Sequence, residues 1–329
     1  MENIELLKRD TSEIITEDEA LDALKNSCKG YWGVEPSGLP HIATGILFTN
    51  KINDMVRAGI KMKVLLADWH ARVNDKLGGD IEKIRESGEL LKRTMIAAGL
   101  DSSVEFIWAG DLVSSRDYWE ELLKVSKNSS LLRIRRALPI MGRTEEDADR
   151  DFSKYIYPLM QVTDIIYMDL DFALGGMDQR HAHMLQRDVA EKMGVKKVIS
   201  VHMPLISSLK GSGRMDDFKK MSKSDPDSAI FITDSDEDIK RKIKHAYCPV
   251  GVTENNPVID ILKYVVFPYY QERLTINRPE SKGGPVEVDF HELINLYENQ
   301  KIHPVDLKNA AAESIINIIG PVREKIEGD

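Results

Sequence analysis

Short apolar runs alternate with longer amphipathic stretches along the first part of the chain. Residues 63–67 (Lys-Val-Leu-Leu-Ala) have the length and composition of a strand buried on both faces. Residues 31–34, 104–108, 165–168 and 197–201 share that character. Between them apolar positions recur at helical spacing. Residues 42–58 follow a break at Glu35-Pro36-Ser37-Gly38, and residues 81–98 end on Gly99 as on a C-terminal cap. Residues 1–27 read as one or two short amphipathic helices. Strands separated by helices in this rhythm predict an α/β fold, a parallel sheet with helices on both faces.

The rhythm is interrupted at about 111–157, where no strand pattern occurs. From 124 to 143 this insertion carries Lys124, Lys127, Arg133, Arg135, Arg136 and Arg143 and no acid. Such a run is either a solvated helix face or a phosphate-contacting surface. Beyond Met203-Pro204 the chain is loop-like at 210–213 and 219–228. Helical patterns then dominate, most clearly at 235–247 and 304–319, and Asp306 suits the start of the latter. The pattern predicts a first domain over 1–228, containing the insertion, and a smaller, helical second domain over 229–329.

Composition narrows the class. A chain of 329 residues is long for one core. With 42% hydrophobic and 30% charged residues it fits a soluble globular protein. It has no apolar stretch of membrane-spanning length and no basic-then-apolar start, so neither membrane insertion nor secretion is expected. Cys28 and Cys248 stand apart, which argues against zinc and for a reducing cytoplasm. A net charge of −9 argues against a DNA-coating protein and leaves room for RNA recognition at a local basic surface.

Two motifs carry chemistry. Residues 31–45 run from a strand through Pro36-Ser37-Gly38 into a helix, with His41 at the helix start. A helix N-terminus binds phosphate readily, and a histidine there can donate to a phosphate as charge develops. The stretch lacks the Gly-Lys-Ser/Thr of a Walker loop; taken alone it is better explained by a simple turn with a surface histidine. Past the last strand, Lys220-Met221-Ser222-Lys223-Ser224 packs two lysines and two hydroxyls into a compact anion grip. A third pattern is polar: Tyr157, Gln161 and Asp164 share one helical face among apolar neighbours. That face is either satisfied internally or lines a pocket. Gly175-Gly176 precedes Gln179 and Arg180, and glycines there let the backbone approach a ligand closely. Asp68 and His70 lie just beyond the second strand, at the pocket edge of such a sheet, though His70 reads slightly better as a packed histidine; His183 and His202 read as packed, and His181 with His183 lacks the partners of a metal site.

Together, His41-Ile42-Ala43-Thr44 and Lys220–Ser224 resemble the HIGH and KMSKS signatures of class I aminoacyl-tRNA synthetases. The segments 31–41, 65–70, 157–179, 220–224, 246–251 and 303–310 resemble tyrosyl-tRNA synthetases of the archaeal and eukaryotic type, over nearly the whole chain. The resemblance implies a Rossmann-like, doubly wound sheet with an inserted helical segment, followed by an all-helical anticodon-binding domain. It implies activation of L-tyrosine by ATP, entering with Mg²⁺, and transfer to tRNA(Tyr), in a cytoplasmic homodimer joined through the insertion. By resemblance, Tyr31 and Asp164 hold the phenol oxygen of tyrosine, while Tyr157, Gln161 and Gln179 hold its α-amino group. ATP falls to Pro36, Gly38, His41, Thr44, Lys220, Ser222, Lys223 and Ser224, with His41, Lys220 and Lys223 stabilising charge. The tRNA falls to Arg180 at the acceptor end, to His303, Asp306 and Lys282 at the anticodon, and to Arg133 and Arg136 on the basic insertion. The chain departs from the pattern in two places. Ala43 and Thr44 replace the usual Gly and second His, and Lys282 stands where an archaeal aromatic stacks on the anticodon. Two other readings compete: a tryptophanyl-tRNA synthetase, opposed by Tyr31 with Asp164, and a non-catalytic RNA-binding relative, opposed by the intact Lys220–Ser224 motif.

Overall fold

The computed structural model of the protein describes residues 2–211, 221 and 225–328. Strands β1 (Glu13–Ile15), β2 (Cys28–Val34), β3 (Ile60–Leu66), β4 (Glu105–Trp108), β5 (Phe172–Gly176) and β6 (Ile199–Met203) form one sheet in the order β1-β6-β5-β2-β3-β4. All neighbouring pairs are parallel except β1 with β6. Every residue of β5 and β6 is buried. This is why these strands read as continuous apolar or small-residue runs and not as alternating ones. From β2 the chain steps one way to β3 and β4, and later the other way to β5 and β6. The switch point between β2 and β5 is where a doubly wound sheet opens a crevice.

Two sequence expectations are corrected. Residues 165–168 are not a strand: they end the Ser153–Tyr167 helix, and the strand comes later as β5. The run Ile165-Ile166-Tyr167-Met168 continues the helix whose Tyr157, Met160 and Asp164 are buried, and an apolar run of this length looks the same in either element. Within residues 1–27, helices Glu2–Lys8 and Glu17–Ala23 flank the unforeseen strand β1, too short to carry a period-2 signal. The 111–157 insertion is strand-free, with helices Arg116–Lys127, Leu131–Ala137 and Glu145–Arg150. Ser115, Ser130 and Thr144 cap these helices by accepting a backbone N–H. Their buried faces join helices Ser153–Tyr167 and Arg180–Met193 in one apolar cluster that includes Val125, Ile134, Leu159, Met160 and Val189.

The chain divides into two compact units. One comprises Met1–Gly38, Lys51–Lys92 and Leu100–Leu205; the other comprises Leu39–Asn50, Arg93–Gly99 and Ile206–Asp329. The sheet belongs to the first. The second is mainly helical, with Asp236–His245 packed on the long Pro304–Gly328 helix and a small antiparallel pair at Leu274–Ile276 and Val286–Val288.

In the first unit, Lys51 is fully buried. Its ammonium donates to the carbonyls of Leu6, Leu7 and Arg9 at 3.1, 2.6 and 2.7 Å, closing the C-terminal end of the Glu2–Lys8 helix. Burial pushes its pKa down to about 8.

Candidate functional site

On the Ser153–Tyr167 helix, in the first unit, Tyr157 and Asp164 are buried and Gln161 is half-buried. Asp164 is 1% exposed. Tyr118, from the insertion, donates its hydroxyl to Asp164 Oδ1 at 2.8 Å. His70 Nε2 stands 2.9 Å from Asp164 Oδ2, an ion-pair contact off the axis a hydrogen bond needs. Burial pushes the His70 pKa down, but the Asp164 carboxylate outweighs it, and the ring ends above its ordinary value. The Tyr31 phenol on β2 is fully buried in the same region. Burial first, then the Asp164 charge, hold it far above its usual range, while a hydrogen bond with Gln161 works the other way. Tyr157 is raised too, by burial and then by the charge of Glu35, with which it is hydrogen-bonded. Its ring meets His70 edge-on at 5.3 Å.

Gln161 donates to Gln179 Oε1 at 3.1 Å, and Gln179 donates to the Ile140 carbonyl at 3.2 Å. The structure therefore brings Tyr31, Tyr157, Gln161, Asp164 and Gln179 into one region. Three buried atoms there, Gln161 Oε1 and both ring nitrogens of His70, have no hydrogen-bond partner among the described residues. Buried polar atoms are nearly always paired, so such orphans are the atoms a bound ligand could pair with. A site that hydrogen-bonds a hydroxyl also rejects an analogue lacking it.

Gly175 and Gly176 lie in β5, and the space their missing side chains leave is filled by this chain itself. A Cβ on Gly175 would stand 2.9 Å from Gln179 Cβ and 3.2 Å from His183 Cε1; one on Gly176 would meet Asp178 and Leu205 at 2.6 and 2.8 Å. The glycines thus let the Gln179 turn fold close over the strand end, and do not themselves face an open ligand space. Arg180 begins the following helix, with its Nε on Glu13 Oε1 at 2.7 Å.

In the turn after β2, Pro36 is buried and Gly38 has φ +114°, a conformation that favours glycine. The Ser87 hydroxyl holds Gly38 from both sides, accepting its N–H at 2.9 Å and donating to its carbonyl at 2.8 Å. In the second unit, His41 makes a bridge with Phe231, and a π-helical turn, Ala43–Leu47, precedes the Phe48–Arg57 helix. Thr44 and His41 cap each other. The His41 N–H donates to the Thr44 hydroxyl at 3.2 Å, and the Thr44 N–H points to His41 Nδ1 at 3.5 Å. With Nδ1 as acceptor, the ring carries its proton on Nε2. Thr44, a departure from the family motif, thus has a role in setting the His41 backbone and ring.

Met221 is buried, and its N–H reaches the Ile206 carbonyl at 3.1 Å. Lys220, Ser222, Lys223 and Ser224 lie outside the described residues. Farther along, His303 is exposed and its Nδ1 accepts the Val305 N–H at 3.2 Å at the start of the Pro304–Gly328 helix. Asp306 lines a cavity of about 190 Å³ together with Lys240, Lys244, Asn277, Lys308 and Asn309. Lys282 is exposed, and does not line that cavity. On the insertion, Arg133 and Arg136 are exposed, with Arg133 paired to Asp188 at 2.7 Å.

Sequence reasoning did not single out Tyr118, Glu35 or Asn74, and it placed His70 at the pocket edge while slightly favouring a packed histidine. Asn74 donates to Glu35 at 3.0 Å and to the Met141 carbonyl at 3.0 Å, which ties Glu35 into the Tyr157 surroundings. The signal for His70 was present in its place just beyond β3, at the crevice edge; nothing local marked Tyr118, which meets Asp164 across 46 residues of chain.

The model of the class I tRNA synthetases for tryptophan and tyrosine matches residues 24–320. A tyrosine–tRNA ligase of Picrophilus torridus is 69% identical over 329 residues, the full length of both chains. The crystal structure of tyrosyl-tRNA synthetase from Aeropyrum pernix superposes with a TM-score of 0.89 at 46% identity, covering 100% of this chain and 96% of that one. A Pyrococcus horikoshii tyrosyl-tRNA synthetase complexed with L-tyrosine superposes with a TM-score of 0.92 at 38% identity, covering 99% and 96%.

Proposed function

Because the chain belongs to the class I tRNA synthetases for tryptophan and tyrosine, as a tyrosine–tRNA ligase, we propose that the buried cluster around Asp164 is where it selects its amino acid. The enzyme activates L-tyrosine with ATP to tyrosyl-adenylate and transfers the tyrosyl group to tRNA(Tyr). Tyr31 and Asp164 take the phenol oxygen. Tyr118 and His70 hold the Asp164 carboxylate in place while its remaining lone pairs face the substrate. Gln161 Oε1, with Gln179 and Tyr157 beside it, takes the α-ammonium group. The observation that carries this assignment is the buried Gln161 Oε1, without a hydrogen-bond partner among the described residues, on a side chain that meets the same Tyr31 phenol as the Asp164 charge.

In the first step the tyrosine carboxylate attacks the α-phosphorus of ATP in line, and pyrophosphate leaves with the displaced electron pair. In the second, a ribose hydroxyl at the tRNA 3′ end attacks the tyrosyl carbonyl carbon and AMP leaves. Neither step needs an enzyme nucleophile, so the protein's contribution is positioning and charge stabilisation. We assign ATP to Pro36, Gly38, His41, Thr44, Lys220, Ser222, Lys223 and Ser224. The Nε2–H of His41 donates to phosphate, and Lys220 and Lys223 supply positive charge. Mg²⁺ arrives with ATP as part of the substrate.

For tRNA, Arg180 reads the acceptor end, and Arg133 and Arg136 meet backbone phosphate. In the second domain, assigned to 229–329, Asp306 and His303 read an anticodon base beside the Asp306 cavity. Lys282 contributes charge there instead of a stacking ring. A homodimer through the insertion is supported by large apolar side chains open to solvent on it: Trp119 48%, Leu123 69%, Leu131 52% and Leu132 61%. A cytoplasmic location accords with this chemistry; no helix among the described residues is long and apolar enough to cross a membrane. The test is amino-acid-dependent pyrophosphate–ATP exchange with each of the twenty amino acids. Exchange with tyrosine alone supports the pocket assignment; exchange with tryptophan would refute the roles given to Tyr31 and Asp164.

A further inference from the structure

Across β1, β6 and β5 the register sets Glu13 beside His202 and His202 beside Gly175. Their side chains form a linked row. His183 Nδ1 lies 2.9 Å from His202 Nε2, His202 Nδ1 lies 2.8 Å from Glu13 Oε1, and the same oxygen takes Arg180 Nε–H at 2.7 Å. Both imidazoles are buried, and their rings stack at 5.0 Å. Burial, then the neighbouring ring, push His183 down to about 3, and burial lowers His202, so both are neutral. Only one proton arrangement then satisfies the row. The Glu13 carboxylate can only accept, so His202 carries its proton on Nδ1; His202 Nε2 must then accept, so His183 donates from Nδ1.

We propose that Glu13, held by the buried His202–His183 pair, is the positioning residue that aims the Arg180 guanidinium at the acceptor end of the tRNA. The inference rests on the role proposed above for Arg180. Arg180 is 42% exposed, and a long side chain in solvent loses rotamer entropy whenever it engages a ligand. Glu13 removes part of that loss in advance by fixing Nε and with it the plane of the fork. Glu13 itself sits on a three-residue edge strand and is 28% exposed, so on its own it would be a weak anchor. The hydrogen bond from fully buried His202 makes it a firm one, and His183 fixes the tautomer that allows that bond. An ion pair kept only for stability gains nothing from two imidazoles held neutral in the core, where apolar side chains would serve. At its inner end the His183 ring packs beside Gln179 under Gly175. The row therefore runs from the amino-acid end of the turn to its tRNA end.

The test uses full-length Glu13→Gln, Glu13→Ala, Arg180→Ala and the Glu13→Ala/Arg180→Ala double variant. Each is assayed for tyrosine-dependent pyrophosphate–ATP exchange without tRNA, and for tyrosylation over a range of tRNA(Tyr) transcript concentrations. Glu13→Ala is expected to raise the KM for tRNA about tenfold with exchange within about twofold of wild type, Glu13→Gln less so, and the double variant to be no worse than Arg180→Ala alone. Exchange and transfer falling together in both Glu13 variants would make Glu13 a structural edge residue and overturn the inference. So would additive losses in the double variant, or normal transfer by the Glu13 variants where Arg180→Ala is impaired. Normal transfer by Arg180→Ala would instead refute the assignment of Arg180, and the inference with it.

Discussion

Gln161→Met separates a binding site from a satisfied buried network. The substitution keeps the length of the side chain and removes its polar atoms. In the free enzyme the buried Oε1 has no partner, a state that costs about 1–3 kcal/mol, so its loss is a gain. Against this stand the lost bond to Gln179 Oε1 at 3.1 Å and the contact with Tyr31, worth about 0.5–1.5 kcal/mol each. The two sides nearly cancel, so Tm should stay within about 3 °C of wild type. With tyrosine bound the balance differs. A hydrogen bond to a charged ammonium contributes about 1.5–3 kcal/mol, which at 1.36 kcal/mol per decade is a loss of roughly 10- to 150-fold in kcat/KM for tyrosine. The assays are thermal unfolding of the free protein and pyrophosphate–ATP exchange across tyrosine concentrations. A variant whose Tm drops by many degrees while kcat/KM stays within about twofold would refute the argument, because Gln161 would then serve the fold.

Three further outcomes are expected. The His70 pKa is raised in the folded state, so its ion pair with Asp164 stabilises fully below about pH 6.5 and less as pH rises through the folded value; Tm measured against pH should show this fall, and His70→Gln should abolish it. Lys51 titrates in the opposite sense: with its pKa near 8 when folded and about 10.4 when unfolded, the unfolded chain holds more protons between these values, so this residue's contribution rises with pH across that window. Lys51→Met, which takes the ammonium from three carbonyls of which those of Leu7 and Arg9 keep the Thr11 hydroxyl, should lower stability by about 1–3 kcal/mol in denaturant titrations and flatten that rise. Replacing Leu123 and Leu132 by Asp should give a folded monomer in sedimentation experiments, and an unchanged dimer would place the interface elsewhere.

The parts of this protein legible in its sequence are those governed by local chemistry. Residues 63–67 read as a strand because burial on both faces demands an unbroken apolar run. The 81–98 helix ended where Gly99, at φ +89°, lets the chain turn. The face of Tyr157, Gln161 and Asp164 followed from helical spacing alone. What stayed hidden is what the chain brings together over distance. Tyr118 looked like an ordinary residue of a basic insertion until the fold placed it on Asp164. Glu13 lies on a strand whose existence depends on β6, and His202 looked like a packed histidine because it is one, with its polar edges spent on neighbours. The error at 165–168 has the same root: the four residues are apolar in helix and strand alike, and only the later Asp169–Asp171 bend shows where the chain reverses into β5.

The edge strand β1 has a consequence for the order of assembly. Its Glu13 meets His202 across 189 residues of sequence. During synthesis β1 leaves the ribosome first, yet its only strand partner among the described residues, β6, comes after the rest of the sheet. Tyr31, His70, Tyr118, Asp164 and Gln179 all precede β6, so the elements of the proposed amino-acid pocket are available to each other earlier. Contacts of such long range carry the largest loop-closure cost and are slow to form. The nascent chain can thus arrange its proposed amino-acid chemistry before it fixes the Arg180 guanidinium, and truncation between the Arg180–Met193 helix and β6 would leave Glu13 without the strand and the His202 bond that hold it.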